Sequence, residues 1–325
     1  MSEYKVKKVV IIGGGNGSAF SICALKPLVS KIELFAVVSM SDSGGSTGRL
    51  RQEFNTLPPG DILRAVLAMS PVDYKIIKKI FYKNRFSGCG KLDGHNLGNL
   101  FLVLSESYNK DYLASLRALG QAVNAVGDVY PVTLDKCDLA AELSNGDIVR
   151  GEATIDEPSY DRNLKIKKAW LDPDVSAYAG AIQAIKDADV IVLGPGSLYT
   201  SIIAALLPRG IKEAIGESKA KLIYITGNAI HANGETGPET VSGLVSDLRK
   251  YLPRKIDIVL FNLRQLNETQ KKYYEEKGWK ELIVDRENWA GLNMIEDDYE
   301  REGGGLCAEK LEKILGRILT DINEY

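Results

Sequence analysis

Residues 6–18 read VKKVVIIGGGNGS, and the fold turns on this stretch. The run 6–12 is almost continuous in apolar and β-branched side chains and ends abruptly in glycines. Such a run predicts a strand buried on both faces, as in a parallel sheet. Residues 16–26 carry helical spacing and stop at Pro27. Residues 31–40, KIELFAVVSM, predict a second strand that leads into a polar, glycine-rich loop at 41–48. Strand, glycine loop, helix and strand in this order make the opening βαβ unit of a doubly wound fold.

Further along, helical patterning predicts helices at about 62–70, 73–84, 97–107 and 112–123. Residues 128–135, 139–143 and 147–155 alternate like strands, and Ser144-Asn145-Gly146 is a hairpin turn signal. With a lysine-studded strand at 164–171, these predict an antiparallel insertion over 128–172. Parallel strands resume at 190–193 (VIVL), 222–226, 256–261 and 281–284, and a helix at 309–320 closes the chain. The expectation is an α/β protein. It has a Rossmann-like, doubly wound, mostly parallel sheet over 1–127 and 173–325, additional helices and the small antiparallel insertion.

Composition narrows the function classes. The chain has 325 residues, 45% of them hydrophobic and 26% charged, and a net charge of −2. That balance lacks the basic footprint that duplex nucleic acid selects. No apolar run reaches the length of about 18 residues that spans a bilayer. Residues 1–5 lead straight into the first strand without a signal-peptide pattern. Cys23, Cys89, Cys137 and Cys307 are widely spaced, which points to a reducing cytoplasm rather than zinc or disulfides. With only two histidines, His95 and His231, a His-rich metal site is excluded.

Five motifs carry candidate chemistry. Gly13-Gly14-Gly15-Asn16-Gly17-Ser18 follows the first strand. There glycines let the backbone approach a phosphate and the next helix supplies N–H donors. Ser41-Asp42-Ser43-Gly44-Gly45-Ser46-Thr47-Gly48-Arg49 follows the second strand and offers hydroxyls and an arginine to an anion. Asp42 can hold a ribose hydroxyl, ligate a divalent cation, or simply close an Asx turn. In Leu57-Pro58-Pro59-Gly60-Asp61, Asp61 is either a helix N-cap or a second carboxylate for Mg²⁺. In Gly94-His95-Asn96-Leu97-Gly98-Asn99, amides surround a histidine suited to acid/base work or neutral donation. Gly194-Pro195-Gly196-Ser197-Leu198-Tyr199-Thr200-Ser201 repeats the strand–glycine–helix pattern and is not a nucleophile elbow. Asn228, in a turn after a later strand, and Tyr274, a possible base-stacking ring, are weaker candidates.

The ordered set GGGNG, SDSGGSTGRLRQEF, LPPGD, HNLGNLF and GPGSLYTSII resembles the gluconeogenesis factor family. That family belongs to the superfamily of 2-phospho-L-lactate transferase. The likeness covers residues 8–105 and 189–250 well. It implies a Rossmann-like core in a cytoplasmic protein tied to carbon metabolism, cell-wall precursor balance and cell shape. Some members of the family bind UDP-N-acetylglucosamine. The transferase branch moves a phospholactyl group from a guanosine-diphosphate-linked donor with Mg²⁺. By carry-over, the first glycine loop, Asp42 and its loop, Asn96, Asn99 and residues 194–201 line the nucleotide cleft, and Tyr274 matches a family tyrosine. The chain departs from the pattern in places. Asn16 replaces a usual Thr, Ser43 replaces a frequent second Asp, and Gly303-Gly304-Gly305 lies where many members carry Arg-His-Asp-Pro.

The leading expectation is a regulatory protein that binds a nucleotide or nucleotide-sugar, a UDP-sugar or GDP-type ligand, with homo-oligomers possible. The alternative is a Mg²⁺-dependent transferase. There Asp42 and Asp61 hold the metal, His95 is the acid/base, and Arg49 steadies phosphoryl charge. An NAD-dependent oxidoreductase rests on the imperfect glycine fingerprint alone.

Overall fold

The computed structural model describes residues 6–321, so the reading of residues 1–5 as leaderless lies outside the described residues. The strands are β1 (Lys7–Gly13), β2 (Ile32–Val38), β3 (Asp128–Pro131), β4 (Asp138–Leu143), β5 (Ile148–Arg150) and β6 (Ile166–Asp172). They continue with β7 (Val190–Leu193), β8 (Lys221–Ile225), β9 (Ala229–His231), β10 (Ile258–Asn262), β11 (Trp279–Glu281) and β12 (Met294–Asp297). A seven-stranded sheet has the order β12-β10-β8-β7-β1-β2-β3. Every pairing in it is parallel. The chain first moves outward from β1 through β2 to β3, then returns to lay β7, β8, β10 and β12 on the other side. The strand order therefore reverses between β1 and β7, where such folds open a ligand crevice.

Why these residues form this core is visible in β1 and β7. Val9, Val10, Ile11 and Ile12 pair with Val190, Ile191, Val192 and Leu193, and all eight are essentially inaccessible. A strand covered on both faces has no place for alternating polar residues. The closing helix Ala308–Asp321 works differently. It buries Leu311, Ile314, Leu315, Ile318 and Leu319, a stripe at helical spacing, against the helix Gly15–Leu25. Each such side chain contributes about 1.5–3 kcal/mol.

Several expectations are corrected. Residues 128–131 were expected in the insertion. They form β3, paired in parallel with β2 at the edge of the main sheet. A half-exposed edge strand alternates just as an antiparallel one does, so periodicity cannot separate the two. The antiparallel sheet is β5-β4-β6, and it begins at Asp138. The strand expected over 147–155 ends at Arg150. Gly151 has φ +90°, which breaks the extension, and the short helix Glu152–Asp156 follows. The strand expected at 281–284 is replaced by β11, which pairs antiparallel with β9 outside the main sheet. The seventh parallel strand is instead β12, whose sequence MIED is too polar to announce itself. The loop at 41–48 is also shorter than expected, because the helix Gly45–Phe54 starts within it.

Among the described residues no helix is long and apolar enough to cross a membrane.

Candidate functional site

The crevice between β1 and β7 is bounded by two glycine loops that touch. A Cβ built on Gly17 would lie 1.7 Å from the carbonyl oxygen of Pro195. Only glycine allows the helix Gly15–Leu25 to start this close to the turn after β7. Ser21 Oγ reinforces the join by donating to the Gly194 carbonyl at 2.7 Å. The helix Gly15–Leu25 has no side-chain cap and no acidic residue in its first turn. Its orphan N–H groups and positive dipole end thus have no partner within their own first turn, and the nearest charge is the Asp61 carboxylate packed against Gly14. Ser18 Oγ is buried there with no hydrogen-bond partner.

The second loop meets a different fate. The backbone N–H groups of Leu198, Tyr199 and Thr200 all donate to the carboxylate of Glu235. This helix start, expected from Gly194, Pro195, Gly196 and Ser197 onward to bind phosphate, already holds an anion from its own chain. Burial pushes the Glu235 carboxyl up to about 7, against the pull of those N–H groups. Thr200 Oγ1 donates to Asp156 at 3.2 Å.

Asp42 and Asp61 converge between the loops. Oδ2 of Asp61 lies against the Cα of Gly14, and Oδ2 of Asp42 against that of Gly60. A Cβ on either glycine would come within 2.5 Å of the oxygen. Thr47 shares the Gly60 contact, and Gly44 N donates to Asp42 Oδ1 at 3.0 Å. Burial, then the neighbouring Asp61, pushes the Asp42 carboxyl up to about 6, while Arg64 opposes the shift. Arg64 pairs with Asp61 one turn along the same helix and donates to Tyr82 Oη at 2.9 Å. Arg64 was not among the expected residues. Its spacing from Asp61, three residues on a helix, was the available signal.

Ser43 is bonded within the chain. It joins the crevice to the antiparallel part, donating its N–H to Glu152 at 3.2 Å and accepting from Ala153 N at 3.0 Å. Burial first, then Asp42 and Asp61, pushes the Glu152 carboxyl up to about 8. Folded protein therefore keeps a proton on Glu152 where unfolded chain has lost it. Stability falls as pH rises from the ordinary carboxylate range toward about 8. The substitution Glu152→Gln should accordingly raise the melting temperature at pH 8.5 and leave it nearly unchanged at pH 5. A thermal shift series across that range checks both.

The histidine motif closes into a buried cluster. His95 Nδ1 and Ser46 Oγ are 2.8 Å apart, and Asn99 Nδ2 donates to Ser46 Oγ at 3.2 Å. Asn96 caps the helix Leu97–Asn109 through its bond from Asn99 N at 2.8 Å. Asn96 Nδ2 and Asn99 Oδ1 remain buried without partners. One donor and one acceptor are thus held ready three residues apart in sequence. Burial, then Arg49, lowers the His95 pKa, so the ring is neutral at pH 7 and suits donation or acceptance better than acid catalysis. Arg49 itself is turned away from the Asp42 loop. It donates to the Asp93 carbonyl at 2.7 Å and braces the segment before His95.

Asn228 and Tyr274 are brought together at neither glycine loop. Both donate to Glu300, a carboxylate inaccessible to solvent. Tyr274 is 3% exposed and meets Trp279 edge-on at 5.4 Å, so its ring faces are covered by protein. Among the described residues no group of three or more His, Cys, Asp or Glu is placed to hold a metal. A divalent cation at Asp42 and Asp61 would have two carboxylates and keep several waters, as Mg²⁺ prefers.

The model of the family described as 2-phospho-L-lactate transferase CofD matches residues 9–299, which contain every residue of this crevice. The chain belongs to the CofD family. Within the family's range it is similar to the gluconeogenesis factor of Listeria innocua, 34% identical over 322 residues, 98% of this chain and 97% of that one. It is equally similar to the gluconeogenesis factor of Bacillus subtilis, 34% identical over 321 residues, 98% of each chain. A crystal structure of a UPF0052 family member from Bacillus halodurans superposes with a TM-score of 0.86. It is 33% identical, covering 96% of this chain and 99% of that one. The fold of that crystal structure is therefore also the fold of this chain.

Proposed function

We propose that this CofD-family protein binds a nucleoside diphosphate or nucleotide-sugar, with the diphosphate seated on the first glycine loop. It would act as a regulator of the gluconeogenesis factor type. The observation that carries this reading is the uncapped start of the helix Gly15–Leu25, with Ser18 Oγ buried and unpartnered beside it. An anion there completes the orphan donors. The unpartnered amide atoms of Asn96 and Asn99 suit a ligand that offers both a donor and an acceptor, as a base or an acetamido sugar does. Support for UDP-linked ligands, and for a role in cell shape, comes from the family resemblance alone.

A second reading, a Mg²⁺-dependent transferase on a nucleoside-diphosphate-linked donor, is favoured by one feature. Asp42 and Asp61 are close enough for Asp61 to raise the Asp42 pKa, and a cation between them relieves that repulsion. Asp42 and Asp61 would hold the ion, which would supply charge neutralisation at the diphosphate. His95, neutral and bonded to Ser46, would orient a ligand oxygen rather than transfer a proton.

Calorimetry with UDP-N-acetylglucosamine, UDP and GDP, with and without Mg²⁺, tests the proposal. Binding of at least one, at micromolar levels, is expected. Silence with all three at millimolar concentration removes the nucleotide reading. Asp42→Asn should abolish any Mg²⁺ dependence of binding while leaving metal-free affinity within about threefold, which is under about 1 kcal/mol.

A further inference from the structure

Lys78 is a half-buried ammonium that pairs with no carboxylate among the described residues. It lies on the helix Tyr74–Lys78, which continues through Lys79–Lys83 in a wider turn. Its Nζ donates to Asn16 Oδ1 at 2.7 Å, reaching from that helix to the first turn of the uncapped helix Gly15–Leu25. Two tyrosine faces hold it there, with Nζ 5.2 Å from the centre of the Tyr74 ring and 5.7 Å from that of Tyr82. Arg64 and Arg85 also stack on Tyr82, at 5.1 and 5.9 Å. One ring thus gathers three cations, and Asp61 answers only Arg64. Two buried polar atoms of this cluster, Arg64 Nε and Tyr74 Oη, have no hydrogen-bond partner. Burial, then Arg64 and Lys83, brings the Lys78 pKa down to about 8.

An excess of positive charge, tyrosines to hold it and, among the described residues, an amide as its one bonded partner are costly unless an anion arrives. The anion has a place to sit, because the same lysine overhangs the helix start that lacks a cap. We propose that Lys78 is the side-chain counter-ion of the ligand's outer phosphate, exchanging its bond to Asn16 for a phosphate oxygen when the ligand binds. This deepens the nucleotide reading and rests on it: the first loop supplies backbone donors, and Lys78 supplies the charge that distinguishes a diphosphate from an uncharged nucleoside. No motif pointed to Lys78, since it stands in a lysine-rich helix, 75-KIIKKIFYK-83, whose other lysines are solvated.

The test compares intact wild-type protein with Lys78→Gln, Lys78→Met, Lys78→Arg and Lys75→Gln by calorimetry. The probes are UDP, GDP and inorganic pyrophosphate at pH 7. Lys75 is exposed on the same helix and serves as the control for overall charge. The expected result is a loss of tenfold or more with Lys78→Gln and Lys78→Met, near-native affinity with Lys78→Arg, and no change with Lys75→Gln. Wild-type affinity should also fall between pH 7 and 9.5, and that fall should vanish in Lys78→Arg. The titratable and charged groups facing the ammonium are Arg64, Lys83, Cys23, Tyr74 and Tyr82, and none of the others has a reason to be removed by that substitution. Two outcomes overturn the inference while the nucleotide reading stands: diphosphates bind Lys78→Gln and Lys78→Met as tightly as wild type, or Lys75→Gln loses as much as they do. If wild type binds none of the three probes, the nucleotide reading itself has failed, and Lys78 falls with it. Unchanged melting temperatures in both neutral variants separate lost binding from lost folding.

Discussion

Replacing Gly17 by alanine is expected to be among the most damaging single-methyl changes in the chain. The added carbon would lie 1.7 Å from the Pro195 oxygen and 2.5 Å from its carbonyl carbon. Both obstacles are backbone, so no rotamer relieves the overlap. Either the helix Gly15–Leu25 or the turn after β7 must move, and both pack on the buried centre of the sheet. The expected cost is about 3 kcal/mol, the upper end of what overpacking usually costs. For a chain of 325 residues that corresponds to a fall in melting temperature of roughly 4 °C. Gly303→Ala is the matched control, because nothing lies within 4 Å of its added carbon and its φ is not positive. It should melt within about 1 °C of wild type. Equal melting of the two variants would mean that the loops do not meet as described.

The second large effect concerns Asp61 and Arg64. Their side chains are 10% and 15% exposed, so each neutralises a charge that water barely reaches. Asp61→Ala leaves the Arg64 guanidinium with Tyr82 Oη as its hydrogen-bonded neighbour. Removing one member of a buried pair costs about 3–5 kcal/mol. Arg64→Met should cost a similar amount for the opposite reason. It removes the cation that offsets the repulsion between Asp42 and Asp61. The double substitution Asp61→Ala with Arg64→Met should therefore be less destabilised than the sum of the singles, by about 1 kcal/mol or more. Denaturant unfolding of all four proteins measures this directly. Strict additivity would show that the two charges are solvated independently.

The centre of this protein was legible because its physics is one-sided. A strand buried on both faces has to be apolar throughout, so β1 and β7 stand out, and glycines at their ends mark the crevice. At the sheet's margins the same logic fails. β3 is half-exposed and alternates, so it reads as part of an antiparallel insertion; β12 carries Glu296 and Asp297 and shows no strand pattern in the sequence. The site shows the same division. Motifs adjacent in sequence, such as Ser46 with Thr47 and His95 with Asn96, were found. Partners that arrive from far along the chain were not. Glu235 fills the second helix start from 35 residues beyond Thr200, and Glu152 reaches Ser43 across 109 residues. Neither has a local pattern that distinguishes it from a solvated surface acid. Tyr274 shows the converse. An aromatic in a polar helical stretch suggests a base-stacking ring, but its hydroxyl is committed to Glu300 and its faces to protein.

The occupied second loop makes the central claim sharper than a generic two-loop crevice would. A crystal structure of the protein grown with UDP and Mg²⁺ tests it most directly. The diphosphate is expected on the N–H groups of residues 15–17, with Ser18 Oγ and Lys78 engaged, the ion beside Asp42 and Asp61, and Glu235 still bound to Leu198, Tyr199 and Thr200. A diphosphate found instead on those three amides, with Glu235 displaced, would contradict the account.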